Sequence, residues 1–431
     1  MISLETICSY RNEKASAASI TTEDLYVSTE SMGPNRGGVS RAASVPSEGK
    51  VSCFRKGDTL VSNIRPYFKK IWKADLDGYC SNDVLVFQPG QRCSADYLCW
   101  LLCDDAFFDY VMATSKGTKM PRGDKSAIMS YAIPSNSEMT QRNITSILNP
   151  IQAKIEMNAK LNGYLERCCQ SLFDDIQNDR TNEVIQLSDV AAVNPKRRLT
   201  KGSLARCVEM ANLSTSGSFP NDWCRKAYSG GMKFMNGDTI LARITPCLEN
   251  GKTAYINFLD EGEVAFGSTE YIVLASRGLL PAEFFYFLAR NRAFVSYATN
   301  HMNGSSGRQR VSAQDIEAYR LRMPSSSQAA RFADFAWPIM EEILTRSLEN
   351  RRLSSLRGAL LPKLLSGEID VSKVEIPTPP NSHLAVSSHH LPDHLTRFST
   401  AAARQESNHR RRRSHISGFR YCPKLNGKLA A

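Results

Sequence analysis

The feature that most limits what this chain can fold into is a long-range repeat. Pro150-Ile151 returns as Pro338-Ile339, and the same offset of 188 residues pairs Asn162 with Asn350, Leu165 with Leu353 and Leu172 with Leu360. Gly57-Asp58-Thr59 returns as Gly237-Asp238-Thr239, and Ile64-x-Pro66 as Ile244-x-Pro246, both at an offset of 180. Leu4 and Ile7 recur as Leu187 and Val190 at 183. One unit therefore occurs twice, with small insertions between its matched blocks. The period is too long for a solenoid. It predicts a duplicated domain-plus-helix module with an internal pseudo-two-fold, suited to a target or partner that comes in two halves.

Each unit ends in a heptad pattern. In the first, Ile144, Leu148, Ile151, Ile155, Asn158, Asn162, Leu165, Cys169 and Leu172 are spaced alternately four and three apart, the seam of a coiled coil. The same register 188 residues on gives Phe332, Ala336, Ile339, Ile343, Arg346, Asn350, Leu353, Arg357 and Leu360. Asn162 and Asn350 stand out, because an amide in an apolar seam costs stability unless it finds a partner, and then it fixes register. Either the two Asn face each other near an antiparallel crossing, or both point to solvent. Pro150 and Pro338 mark either the start of the regular helix or a kink in it.

Upstream of each seam the pattern is mixed. Residues 82–87 predict a strand and 95–112 a helix; in the copy, 239–244, 254–258 and 270–274 predict strands and 282–299 a helix. The blocks read as α+β. This divides the chain into 1–140, a first domain; 141–180, a first helix; 181–325, a second domain; 326–373, a second helix; and 374–431, a tail. The tail follows Pro377-Thr378-Pro379-Pro380, is rich in Ser, His and Arg, and reads as disordered.

Composition narrows the function classes. The net charge is +11, but residues 381–431 carry nine Lys or Arg against Asp393 and Glu406. The repeated body is only mildly basic, so nucleic-acid binding would rest on local patches or on a partner. No long apolar run predicts a membrane span, and no signal peptide is visible; the expected location is cytoplasmic. Twelve Cys without a Cys-x-x-Cys, and a body whose sole His is His301, argue for buried thiols and no metal site. Asn250-Gly251-Lys252-Thr253 lacks the earlier glycine of a phosphate loop, where Pro246 stands. No Asn/Asp-Pro-Pro-aromatic run of a DNA methyltransferase occurs. The expected catalytic set is none.

Two glycine-rich basic loops fall at matching places, at 115–125 and 303–311. Small residues let a backbone approach phosphate, and Arg, Lys and Gln donate to phosphates or base edges. The bland alternative is a solvated connection. Candidate DNA-facing residues are Arg65, Lys69, Lys119, Arg122 and Lys125 in the first unit, and Arg243, Lys252, Arg308, Gln309 and Arg310 in the second. Ile151, Asn162, Leu165, Ile339, Asn350 and Leu353 are the candidate helix-pairing residues.

The order of these motifs resembles the specificity subunit of type I DNA restriction–modification enzymes. The resemblance is carried by Gly57-Asp58-Thr59-Leu60 with Ile64-Arg65-Pro66, Gly237-Asp238-Thr239-Ile240 with Ile244-Thr245-Pro246, both glycine-rich loops, and the helix end Leu364-Leu365-Ser366-Gly367-Glu368-Ile369, and it covers 1–373. It implies two target-recognition domains, each followed by a spacer helix, the helices packed as an antiparallel coiled coil about a pseudo-two-fold. It also implies a non-catalytic subunit that reads the two halves of a bipartite site on double-stranded DNA. Two methyltransferase subunits using S-adenosylmethionine, and translocase–nuclease subunits using ATP and magnesium, would be its partners; this chain would bind no cofactor itself. Pro134-Ser135-Asn136-Ser137 and Pro324-Ser325-Ser326-Ser327 replace the proline-rich run that usually precedes each helix in that family. Lys424-Leu425-Asn426-Gly427 echoes Lys160-Leu161-Asn162-Gly163, either as the mark of a DNA inversion site within the gene or as a chance four-residue match. The alternatives are a specificity subunit of a restriction–modification type whose nuclease and methylase are fused, a coiled-coil scaffold that binds protein only, and an independent enzyme.

Overall fold

The computed structural model describes residues 1–372 apart from Thr22 and Ser306. The expected tail, and with it the Lys424–Gly427 echo, lies outside the described residues.

The duplication is visible strand by strand. In the first module Cys8–Tyr10, Val84–Pro89, Thr59–Ser62 and Ile71–Lys73 form an antiparallel sheet in that order. In the second, Ala191–Val193, Tyr271–Ser276, Thr239–Ala242 and Thr253–Tyr255 form the same sheet in the same order. The Gly-Asp-Thr strand is central in both. Its residues are buried throughout, which explains an apolar run in place of alternation.

A second sheet shares three strands between modules and differs at its edge. Lys50–Phe54, Gly78–Cys80 and Tyr26–Val27 correspond in order and direction to Lys233–Phe234, Ala265–Gly267 and Leu204–Val208. The first module adds Lys14–Ser16 beside Lys50–Phe54. The second adds Cys224–Ala227 on the opposite side, beside Leu204–Val208. A short antiparallel pair then ties each module's start to its end: Ile2–Ser3 with Ala132–Ile133, and Val184–Gln186 with Arg320–Arg322.

The helix expected over 95–112 is two helices, Ala95–Cys103 and Asp105–Ala113, because Asp104 is extended (ψ 142°). The copy breaks alike, into Ala282–Arg290 and Arg292–Asn300, with Asn291 extended and its side chain accepting from the Ala293 and Phe294 N–H groups. The periodicity runs through both breaks, since each pair keeps one apolar face.

Two long helices, Glu138–Asn178 and Ser326–Ser366, hold 41 residues each and so extend ~60 Å. Each starts from a serine whose hydroxyl accepts from an N–H of the first turn, Ser137 from Thr140 and Ser325 from Gln328. Pro150 and Pro338 lie inside continuous helices, each twelve residues past the first, so neither begins its helix. The pair is antiparallel: Arg357 meets Gln152, Asn350 meets Asn158 and Ser347 meets Asn162.

Both helices enter both modules' cores. Ile144 and Leu148 from the first helix, with Leu361, Leu364 and Leu365 from the second, pack into the first module. Cys169, Phe173 and Ile176, with Phe332, Ala336, Met340 and Ile343, pack into the second. Among the described residues, no helix is long and apolar enough to cross a membrane.

Candidate nucleic-acid interface

The repeated Gly-Asp-Thr has a structural origin. Asp58 and Asp238 are each 2% exposed. The Asp58 carboxylate accepts from Arg11 Nε at 2.6 Å and Nη2 at 3.0 Å, and from the Arg55 N–H at 2.8 Å. Asp238 accepts from Arg197 Nε at 3.1 Å and from the Met235 N–H at 2.8 Å, and Arg197 Nη2 completes the fork. The preceding glycines have φ of 92° and 87°, which a side chain would strain. The aspartate thus pins the turn entering the central strand to an arginine on another segment. Burial lifts the Asp238 carboxyl above the ordinary carboxylate range, against the pull of the Met235 N–H and Arg197. Sequence reasoning singled out the motif but missed Arg11 and Arg197, which have no local pattern linking them to it.

The far ends of these strands receive the glycine-rich loops. In the first module Lys116 and Arg122 exchange backbone hydrogen bonds, both 2.9 Å, and close a tip of residues 117–121. The Arg65 N–H donates to Pro121 O at 2.9 Å and the Gly123 N–H to Asn63 O at 3.3 Å. In the second, Asn303 and Arg310 exchange the same pair at 2.9 Å around residues 304–309. The Thr245 N–H donates to Gln309 O and the Val311 N–H to Arg243 O, both at 3.0 Å. Each loop is therefore a hairpin docked on the segment after its Gly-Asp-Thr strand, with matching bonds.

An ion pair recurs at the same place. Arg122 lies 3.2 Å from Asp83. Arg310 Nε lies 3.0 and 2.9 Å from the two Glu270 carboxylate oxygens, and Nη2 lies 2.8 Å from one of them. Asp83 and Glu270 are equivalent: their carbonyls accept from the Asn63 N–H at 2.8 Å and the Arg243 N–H at 3.0 Å. The Arg310 guanidinium holds the Glu270 carboxyl below its usual range.

The structure brings Arg65, Lys119, Arg122 and Lys125 around one loop, and Arg243, Arg308, Gln309 and Arg310 around the other, and divides them by what they touch. Arg65, Lys119, Arg122, Lys125 and Arg308 are exposed, Arg122 beside its Asp83 partner. Lys69 is held by Asp105 at 2.8 Å. Lys252 Nζ donates to Met210 O at 2.8 Å, so its ammonium ties down the backbone of another segment of the module. Arg243 is half-buried, and its Nε is buried without a hydrogen-bond partner. Gln309 is half-buried, its carbonyl taken by Thr245. A mild excess of basic residues cannot tell a held cation from a free one; the distant acidic residues that hold them carry no sequence signal.

Between the long helices, Asn162 and Asn350 neither face each other nor point to solvent. Asn162 Nδ2 donates to Ile343 O at 3.3 Å, and Asn350 Nδ2 donates to Ile155 O at 3.1 Å. Since 343 is 155 plus 188 and 350 is 162 plus 188, these two bonds are images of each other under the repeat. The expectation failed because an antiparallel crossing centred between the two Asn sets each against the other helix's backbone, about two turns from the other Asn. Asn158, which the heptad placed in the seam without a role, is 2% exposed and donates to Asn350 Oδ1 at 2.9 Å and Glu349 at 2.7 Å. Leu165 and Ile339 pack against the second module's core; Ile151 and Leu353 are half-buried on the helix pair.

Among the described residues one group gathers three metal-ligating side chains: Cys207, Glu209 and Cys224, with ligand atoms within 4.8 Å. Lys226 already takes up the Glu209 carboxylate.

No protein-family model matches the chain. It is similar to the type I restriction enzyme HindI specificity subunit of Haemophilus influenzae, 22% identical over 415 residues, which span 77% of this chain and 90% of that protein. The MjaIX specificity subunit of Methanocaldococcus jannaschii is 22% identical over 317 residues, 66% of this chain and 72% of that one. The EcoEI specificity subunit of Escherichia coli is 30% identical over 180 residues, 40% of this chain and 30% of that one. Among solved structures, the S subunit of a type I restriction–modification system from M. genitalium aligns over 84% of this chain and 95% of its own, at 12% identity and a TM-score of 0.48. The HsdS subunit from Thermoanaerobacter tengcongensis aligns over 85% and 96%, at 17% identity and a TM-score of 0.34. The curated relatives it is similar to are specificity subunits of type I restriction enzymes, the first of them matched over nine-tenths of its length.

Proposed function

We propose that this chain reads a bipartite site on double-stranded DNA and directs methylation and restriction by partner subunits. On this reading, residues 1–140 and 181–325 are the recognition domains, and 141–180 and 326–373 the spacers between them. The observation that carries it is the duplicated loop-on-strand device, set in two modules joined by helices whose contacts repeat under the same offset. Two matched surfaces held at a fixed separation suit two half-sites at a fixed separation on one duplex.

The chemistry expected of the chain is contact. Exposed Arg65, Lys119, Lys125 and Arg308 sit on or beside the loops and suit phosphates and guanine edges. Gln309 suits adenine. Methyl transfer, with S-adenosylmethionine, would belong to two methyltransferase subunits docked on this chain. Translocation and cleavage, with ATP and magnesium, would belong to translocase–nuclease subunits. The body's modest charge supports a division in which partners supply part of the phosphate contact.

Long-read methylation mapping tests this. A host expressing the chain with its methyltransferase subunit should gain a bipartite methylated motif that a host with the methyltransferase alone lacks. If no such motif appears while the methyltransferase works with another specificity subunit, the proposal fails and a protein-binding scaffold takes its place.

A further inference from the structure

Resting on that reading, we propose that Arg310, and Arg122 at the equivalent position, are positioning residues that latch the recognition loops, while Arg308 and Lys119 at the loop tips touch DNA. The two arginines look alike in sequence, both being cations in glycine-rich loops. Their surroundings separate them from the tip residues.

Arg310 spends its guanidinium on the protein. Nε and Nη2 meet Glu270, and Nη1 donates to Arg308 O at 3.0 Å. One side chain thus ties the module's body to the backbone of the tip residue itself. Arg308 is exposed, and its N–H donates to Ser305 O at 3.0 Å, which sets the direction in which its side chain leaves the loop. The first module repeats the ion pair in a looser form: Arg122, itself exposed, meets Asp83 at 3.2 Å, and Lys119 is exposed on the tip that the Lys116 and Arg122 backbones close. The carboxylate in this pair sits on the same strand approach in both modules, as Asp in one and Glu in the other. A carboxylate bound to a cation offsets the charge it presents to phosphate; a latch requires one. Gly304, with φ of 129°, and Gly117, with φ of 91°, start tips whose backbones turn freely. A fixed anchor at the other end is what gives them one conformation.

The roles predict opposite signs for Glu270→Ala. If Arg310 latches, removing its carboxylate loosens the loop and weakens binding. If Arg310 contacts DNA, the same change frees the guanidinium, removes a negative charge near phosphate, and leaves binding unchanged or tighter. The experiment uses the full chain in complex with its methyltransferase subunit. Affinity is read by fluorescence anisotropy, across a salt series, on a duplex carrying the motif that the wild-type complex methylates. Glu270→Ala and Arg310→Ala are each expected to weaken binding by at least about tenfold, the double variant no more than either single, with the salt slope unchanged. Arg308→Ala is expected to lower the slope of log K against log salt by about 0.9, one phosphate's worth. Circular dichroism melting separates a loosened loop from an unfolded module. Unchanged or tighter binding by Glu270→Ala, or a slope lowered by Arg310→Ala, overturns the proposal. A wild-type complex without sequence-specific binding defeats the functional reading instead.

Discussion

The pair Arg197–Asp238 lets the cost of one buried charge be worked through. Asp238 is 2% exposed and the Arg197 side chain 17%. Replacing Asp238 with Ala leaves the guanidinium without its carboxylate and the Met235 N–H without its acceptor. Breaking a buried pair from one side costs ~3–5 kcal/mol, a large part of the ~5–15 kcal/mol that holds a domain folded. Replacing both residues with Leu should cost far less. Burial lifts the Asp238 carboxyl despite its arginine, so removal from water outweighs the attraction, the condition under which apolar replacement of both partners is near neutral. About 1–2 kcal/mol remains, because the Met235 N–H still lacks an acceptor.

Urea unfolding gives the overall cost, and peptide-level hydrogen exchange assigns it to a module. Asp238→Ala should lose protection in the strands Thr239–Ala242 and Tyr271–Ser276 while Thr59–Ser62 in the first module keeps its own. The double variant should recover most of that loss. A single-variant cost under about 1 kcal/mol, or a double variant as damaged as the single, would refute the view that the repeated aspartate is held by charge pairing.

Other consequences are simpler to test. Phe173 is fully buried against Phe284 at 4.8 Å and Phe332 at 6.4 Å, so Phe173→Ala should cost ~3–5 kcal/mol by thermal or urea melting, with exchange rising in the second module before the first. Asn350→Ala removes two hydrogen bonds and should cost ~1–3 kcal/mol. Asn162→Ala should cost less, because Asn162 Oδ1 is buried without a partner; equal costs measured by urea midpoints would contradict this. Lys69→Ala should leave the salt slope of DNA binding unchanged, its ammonium being held by Asp105; a slope lowered by about 0.9 would make Lys69 a phosphate contact.

What sequence could reveal here follows from where each signal is stored. The duplication, the paired long helices and the α+β blocks are written as matched residues and as a heptad period, which survive without knowledge of any distant contact. The helix breaks at Asp104 and Asn291 were not legible, because the apolar face continues across them. The Asn geometry depends on where two helices cross, which the period of one helix does not contain. The largest gap concerns the loops. Composition marks Arg122 and Arg310 as readily as Lys119 and Arg308, but Asp83 and Glu270, which separate the two kinds, lie 39 and 40 residues away from their arginines. Only folding brings them together.

The same division predicts the form of the DNA site. The two modules share the buried Arg–Asp pair, the docked hairpin and the latch; the tips differ. The first tip, 117–121, offers Thr118, Lys119 and Met120, beside Arg65 and the exposed rings of Tyr67 and Phe68. The second, 304–309, is one residue longer, offers Arg308 and Gln309, and faces Thr245-Pro246-Cys247 where the first has Arg65-Pro66-Tyr67. Base edges are distinguished by the donors and acceptors a side chain presents, and the sets differ: a lysine and two aromatic rings in the first have no counterpart in the second, and Gln309 has none in the first. A two-fold frame carrying unlike tips should therefore read two unlike half-sites. Methylation mapping should return a motif that is not its own reverse complement. A palindromic motif would mean that the shared frame, not the tips, does the reading, and that the contacts assigned to Lys119 and Arg308 are wrong.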